Sequence, residues 1–244
     1  MDPESLKRWR KTERERLVAA RLAVDAQTLK SFRARIDTHL AQVFPGLTNG
    51  NAGTLGFCWP FKNEYDPRFV AHRHRQAGGQ TALPVVVAPR QPLIFRPWKP
   101  GDALAKGVYD IPYPAAGDSV TPDVALVPMN GFDEAGYRLG YGGGFFDRTL
   151  AHLRSQDAKR PVAIGVTYEL ARMPTIEPQS YDIPMDYVVT ECGVYERIEG
   201  RLVLLEPSAR RTSPVPSGYA SPACLAHEIA PGYFGETDPP AAKP

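Results

Sequence analysis

Between a continuous apolar run, DVALVP at 123–128, and a helical pattern, FFDRTLAHL at 145–153, the chain places four glycines within the five positions Gly140 to Gly144. No other feature restricts the fold as much. A short apolar run without polar alternation suits a strand covered on both faces, as at the centre of a parallel sheet. Glycine loses more conformational entropy on folding than other residues, so a glycine cluster in ordered structure needs a reason. A strand leading through glycines into a helix supplies one. Backbone N–H groups at a helix N-terminus, with no side chains in the way, form a nest that accepts phosphate-like anions.

The rest of the chain agrees with an alternating pattern. Ser5 is positioned to cap a helix running to about Val24, with Leu6, Trp9, Leu17, Ala20 and Val24 as a partial apolar face. Asp25 caps a second helix carrying Leu29, Phe32, Ile36, Leu40 and Val43, and Pro45-Gly46 end it. GTLGFCW at 53–59, TALPVVVA at 81–88, PLIFRPW at 92–98, RPVAIGVT at 160–167 and DYVVT at 186–190 read as strands. Pro84 is odd inside its strand, and the prolines of 92–98 place that strand at an edge. Pro67 opens a helix that Gly78-Gly79 close, and 194–206 reads as a hairpin turning at Glu199-Gly200. Strands alternating with helices predict an α/β fold with a mainly parallel sheet. Residues 1–205 read as one domain; 206–244, rich in Pro, Ser, Ala and Gly, read as a disordered tail.

Composition excludes several classes. The formal charge of +2 over 244 residues gives no bulk attraction to nucleic acid. The first helix interleaves acids with bases, which argues against an RNA-binding face. No apolar run approaches the roughly 20 residues of a membrane span. Met1 to Lys11 is charged without an apolar stretch, so it does not read as a secretory signal. Cys58, Cys192 and Cys224 are far apart and fit no metal spacing, so reduced thiols in a cytoplasmic protein are expected. His72 and His74, two apart on a charged helix, read as surface residues.

Arg138 and Arg148 flank the glycines, where guanidinium groups can neutralise phosphate charge. Asp147 sits where a carboxylate can hold a divalent metal beside those phosphates. The pattern suits a nucleoside triphosphate with Mg²⁺. It matches neither the lysine-bearing P-loop nor the dinucleotide fingerprint.

NGFDEAGYRLGYGGGFFDRTL, with Pro128 before it, resembles the signature of the 5-formyltetrahydrofolate cyclo-ligase family. Pro128, Phe132, Asp133, Gly136, Arg138, Leu139, Gly140, Gly142, Gly144 and Asp147 all fall on it without a gap. GFCWPFKNEYDP, GVYDIPYP and MPTIEPQSYDIPMDYVVTE resemble further family segments, so the likeness runs from about residue 5 to 195. It implies a three-layer α/β/α fold like that of the NagB/RpiA/CoA-transferase group. It also implies ATP-dependent closure of 5-formyltetrahydrofolate to the 5,10-methenyl form, with Mg²⁺ and no nucleic-acid or membrane partner, in a cytoplasmic monomer.

By the same resemblance, Arg138, Leu139, Gly140, Tyr141, Gly142, Gly143, Gly144, Phe145 and Phe146 cradle ATP. Of these, Arg138, Gly142, Gly143 and Phe145 surround the reacting groups. Lys7, Arg10 and Lys11 on the first helix also hold ATP. Asp147 and Asp186 hold the metal; Glu64 grips the pterin ring through its N–H donors; Trp59 and Tyr109 line that pocket. The chain departs from the family where Phe145 and Phe146 replace tyrosines, where Gly143 stands at a position some members fill with lysine, and where Leu6 takes the place of a first-helix lysine. These departures motivate an alternative, a catalytically degenerate relative that still binds folate or nucleotide.

Overall fold

The computed structural model describes residues 1–47, 53–107, 111–155 and 160–206. Tyr109, Cys224 and, apart from Glu206, the tail expected at 206–244 lie outside the described residues.

Among the described residues, twelve strands and four α-helices are built in the order α1 (Pro3–Leu22), α2 (Ala26–Leu47), β1 (Thr54–Gly56), α3 (Arg68–Gln76), β2 (Gln80–Val85), β3 (Ile94–Pro97), β4 (Leu104–Lys106), β5 (Pro112–Pro114), β6 (Val124–Pro128), β7 (Gly131–Phe132), β8 (Arg138–Leu139), α4 (Phe145–Ser155), β9 (Val162–Val166), β10 (Tyr187–Thr190), β11 (Gly193–Ile198) and β12 (Arg201–Leu204). One sheet runs β12-β11-β10-β9-β6-β1-β2-β3. Its five central strands, β10 to β2, are parallel, and β3, β11 and β12 join antiparallel at the edges. The expected mixed α/β class with a mainly parallel sheet is what the chain forms.

β6 shows why its sequence has no polar alternation. Val124 and Leu126 enter a core with Ile36 and Leu40 of α2. Ala125 and Val127 enter a second core with Leu150 of α4. Both faces are covered, so every position must be apolar. Pro84 is tolerated for a local reason. Phe57 N–H donates to Ala82 O, so the next residue facing the same way, Pro84, lies beyond the end of β1. No strand there needs the N–H that proline lacks. The hairpin turn is as read: Glu199 (φ 48°) and Gly200 (φ 85°) are both left-handed, as tight two-residue turns require.

Two helix boundaries differ from the sequence reading: α2 runs on through Pro45 to Leu47, and the start of α1 is set by a stronger cap. α1 starts at Pro3, not after Ser5, because the Asp2 carboxylate accepts the N–H groups of Glu4 and Ser5, with proline at the first helical position. The small β4–β5 and β7–β8 hairpins were not legible in the sequence. His74 is not a simple surface residue: its Nε2 is 2.9 Å from Gly53 O, and its ring stands edge-on to Phe44.

α1 lies outside the sandwich, across the glycine side of the sheet. It docks through Leu17, only 1% exposed, which packs with Leu139, Met173 and Ile176. Replacing Leu17 with alanine is expected to cost about 2–5 kcal/mol by urea unfolding. A loss below about 1 kcal/mol would show that α1 is not part of the cooperative unit.

Candidate active site

The glycine bend is built between β8 and α4, and its backbone requires glycine at two places. Gly142 (φ 95°) and Gly144 (φ 61°) are left-handed. A Cβ on Gly143 would come within 2.9 Å of the Phe145 ring. A side chain there, lysine included, therefore needs Phe145 to move.

The bend is held from outside by arginines that bind its carbonyls. Arg14 Nε donates to Gly140 O at 2.7 Å, and Arg148 donates to Gly143 O. Arg21 Nη2 donates to the Tyr141 hydroxyl at 3.0 Å. No acceptor among the described residues takes the N–H groups of 141–144. Arg138 is buried and its Nη2 lies 3.0 Å from Asp147 Oδ2. Burial pushes its guanidinium pKa down, opposed by the charges of Asp147 and Asp182. The Nε atoms of both Arg138 and Arg148 are buried with no acceptor. An unpaired buried donor costs about 1–3 kcal/mol. Both lie beside the free amides of the bend.

The carboxylates are arranged differently from expectation. Asp147, in the first turn of α4, accepts Ile183 N–H at 3.1 Å. That contact brings in Asp182, whose carboxylate is 2.6 Å from Arg10 Nη2 and accepts Gln179 N–H at 2.7 Å. Asp186 is elsewhere. It binds Arg154, in the last turn of α4, together with Arg160 and Ala163 N–H. Two helical turns, about 10 Å, separate that end of α4 from Asp147. The pairing of Asp147 with Asp186 is therefore corrected. Asp186 immediately precedes β10 and lies at the amino edge of the parallel strands, opposite the glycine bend. Among the described residues no group of three or more potential ligands could hold a metal by itself. The Ile183 N–H contact places Asp147 and Asp182 on the same side, each also paired with an arginine, Arg138 and Arg10.

The first-helix cations separate in the same way. Leu6, Arg10, Arg14, Leu17 and Arg21 share one stripe of α1, and all but Arg14 are buried. Arg10 is consumed internally: it donates to Ile176 O, Glu177 O and Asp182. Lys7 and Lys11 are exposed, and Lys11 pairs with Glu15. Neither reaches the bend; Arg14 does. The sequence signal for Arg14 and Arg21 was their place on the leucine stripe, where a cation must have a partner.

Glu64 joins the bend to a second compartment. Its Oε1 accepts the Tyr141 hydroxyl at 2.8 Å and lies 4.0 Å from Arg21 Nη2; its Oε2 accepts Phe61 N–H. Burial raises the Glu64 pKa above the usual carboxylate range, opposed by Arg21 and Tyr141. Trp59 sits in the adjoining wall, edge-on to Trp98 and beneath the Arg68 guanidinium. Tyr168, at the end of β9, is buried against Phe32 and lies in the field of Arg21 and Glu64. Cys58, pushed to high pKa by burial, feels both Glu64 and Arg138. The Tyr141–Glu64 hydrogen bond therefore joins the bend to the aromatic residues around Glu64.

The model of the 5-formyltetrahydrofolate cyclo-ligase family matches residues 6–191. The 5-formyltetrahydrofolate cyclo-ligase of Escherichia coli K12 is 30% identical over 154 residues, covering 59% of this chain and 81% of that protein. The Mycolicibacterium smegmatis protein of the same name is 34% identical over 103 residues, covering 41% and 51%. Among solved structures, a 5,10-methenyltetrahydrofolate synthetase of Aquifex aeolicus superposes with a TM-score of 0.65 at 23% identity, covering 82% of this chain and 98% of that one. One from Mycoplasma pneumoniae gives 0.59 at 20% identity, covering 75% and 98%. The structural likeness supports the fold, and the family match takes in the bend, both site carboxylates and Glu64: this chain belongs to the 5-formyltetrahydrofolate cyclo-ligase family.

Proposed function

We propose that the chain catalyses ATP-dependent cyclisation of 5-formyltetrahydrofolate to 5,10-methenyltetrahydrofolate, with release of ADP and phosphate. The observation that carries this reading is the bend itself, whose amides are free while its carbonyls are held by Arg14 and Arg148. The formyl oxygen is a poor leaving group. Its attack on the γ-phosphorus of ATP breaks the bond to ADP and makes it a phosphate ester. N10 then attacks the activated carbon, loses its proton, and expels phosphate as the ring closes. Phosphoryl transfer needs alignment and charge neutralisation more than covalent help.

In this reading the amides of 141–144, with Arg14, Arg138 and Arg148, hold the phosphates. Mg²⁺, bound by Asp147 and Asp182, would neutralise the charge that develops between the β- and γ-phosphates. Glu64 accepts hydrogen bonds from the pterin, and Trp59 covers its face. Tyr141, bonded to Glu64, connects the two substrates' sites. The thiols of Cys58 and Cys192 are free, which suits a reducing cytoplasm. Among the described residues no helix is long and apolar enough to cross a membrane. The degenerate alternative loses its main support. The lysine absent at Gly143 is matched by guanidinium groups already in place: a Cβ on Gly142 would lie 3.4 Å from Arg14 Cζ, and one on Gly144 3.0 Å from Arg148 Nη1.

With ATP, Mg²⁺ and 5-formyltetrahydrofolate, the near-ultraviolet absorbance of the methenyl product is expected to rise. No rise under any metal or pH condition, with folate binding intact, would favour the degenerate relative. Asp147→Asn and Asp182→Asn are expected to lower kcat/KM for Mg-ATP by at least about a hundredfold. Asp186→Asn is expected to stay within about fivefold of the unchanged enzyme; equal losses at Asp182 and Asp186 would refute the corrected pairing. The KM for the folate is expected to rise as pH falls through the raised Glu64 pKa, because only the carboxylate accepts two pterin N–H bonds. The same raised pKa means the folded chain binds the proton more readily than the unfolded chain. Stability from this group is therefore highest at acid pH and declines as pH rises through the folded value. Glu64→Gln should flatten both profiles, and a persistent acid rise in KM would assign it to another group.

A further inference from the structure

Tyr141 lies within the glycine bend, but its side chain makes its bonds outside it. The hydroxyl donates to Glu64 Oε1 at 2.8 Å and accepts from Arg21 Nη2 at 3.0 Å. The ring stands edge-on to Phe61, with 5.9 Å between centroids. Arginine has donors and no acceptor, so Arg21 can only fill a lone pair of the hydroxyl, and the single O–H proton must point at the carboxylate. Arg21 is 2% exposed, and its Nε also donates to Lys62 O, two residues before Glu64. One buried guanidinium therefore fixes both the loop that bears Glu64 and the hydroxyl that meets it. The contact is not sealed in the interior, because Tyr141 is 46% exposed.

The carboxylate has acceptor capacity to spare. An ionised carboxylate offers about four lone-pair positions. Phe61 N–H takes one on Oε2, and the Tyr141 hydroxyl takes one on Oε1. One position is left on each oxygen, which suits a ligand edge with two neighbouring N–H donors. The two bonds already made set the plane of the carboxylate, so they decide where that pair of positions faces.

The groups that face Glu64 are Arg21 of α1, Tyr141 of the bend, Cys58 after β1 and Tyr168 after β9. Burial pushes the pKa values of Cys58, Tyr141 and Tyr168 up, so all three stay neutral where a carboxylate titrates. Arginine stays protonated throughout that range. Glu64 is thus the member of this set that changes charge there, and the Tyr141 bond favours its charged form.

We propose that Tyr141 is a positioning residue for the folate: carried by the bend that would hold ATP, its side chain acts through Glu64, orienting the carboxylate that pairs with the pterin N–H groups. The inference rests on the cyclo-ligase reading above. It assigns to the folate side a side chain that the family resemblance alone would leave with the nucleotide.

Tyr141→Phe keeps the ring and its contact with Phe61 and removes only the hydroxyl, so little change in melting temperature is expected at a half-exposed site. The folate KM at neutral pH is expected to rise about tenfold, with kcat and the ATP KM each within about twofold. The acid rise in folate KM is expected to begin at higher pH than in the unsubstituted enzyme, because the carboxylate has lost a donor that favours its charged form. In a Glu64→Ala background the same substitution should add less than about twofold to the folate KM, since its target is gone. An unchanged folate KM, an acid rise at the same pH, an ATP KM that rises as much as the folate KM, or full additivity with Glu64→Ala would each overturn the proposal. If the unsubstituted protein converts the folate normally, that failure is confined to Tyr141. If it neither binds nor converts the folate, the functional reading itself fails.

Discussion

The site depends on guanidinium groups binding the carbonyl side of the glycine bend. Arginine has five donors and no acceptor, so it can fix a loop only through oxygen atoms. Arg14 takes Gly140 O, Arg148 takes Gly143 O, and Arg21 takes the Tyr141 hydroxyl. A loop secured by carboxylates or carbonyls would have given up its N–H groups. This one is ordered while its donors stay available, and its clamps add positive charge where phosphate oxygens would gather. Rigidity and anion affinity therefore come from the same bonds.

That arrangement ties function to the attachment of α1. Two of the clamping residues, Arg14 and Arg21, are separated from their targets by more than a hundred positions in sequence, and α1 stands outside the two main cores. Besides the clamps themselves, the apolar contact around Leu17 and the Arg10–Asp182 pair at 2.6 Å hold it. A buried pair of this kind adds little net stability against well-packed apolar residues, yet breaking one side is costly. Its use here is positional. Arg10 fixes the 176–182 loop by bonding two of its carbonyls and Asp182 together. The loop in turn presents Asp182 near Asp147. The helix thus sets the bend with one arginine and the second carboxylate with another.

Much of this was legible in the sequence, and the misses have physical causes. The apolar run, the glycines and the helix after them are local features, and β6, the bend and α4 follow directly from them. The proposed metal pairing was not local. Asp182 and Asp186 are four residues apart in YDIPMD, and composition does not distinguish them. What separates them is strand direction: β10 starts at Tyr187, so Asp186 falls on the amino edge of the sheet, where a parallel α/β fold does not place its ligand. The first-helix cations failed for a similar reason. Lys7 and Lys11 resemble a phosphate-binding pair in spacing, but the stripe that packs inward is the one with Leu6 and Leu17. Arg10, Arg14 and Arg21 lie on that stripe. Charge pattern marks the solvated face of a helix, and the informative cations are those placed among its leucines.

The departures at Gly143, Phe145 and Phe146 follow from the same architecture. A lysine on the bend would bring a flexible ammonium, and a Cβ at that position is opposed by the Phe145 ring. This chain instead places its cations on the elements that flank the bend, β8 and α4: Arg138 has its guanidinium over Phe146, and Arg148 has its own over Phe145. Tyrosines at these positions would carry hydroxyls able to bond phosphate; phenylalanines offer only ring faces, which attract guanidinium groups. The phenylalanine pair and the glycine are thus one coupled solution. Restoring lysine at 143 alone would set a new side chain against a ring that already orients Arg148, so the single change should disturb the clamp on Gly143 O before it supplies any useful charge.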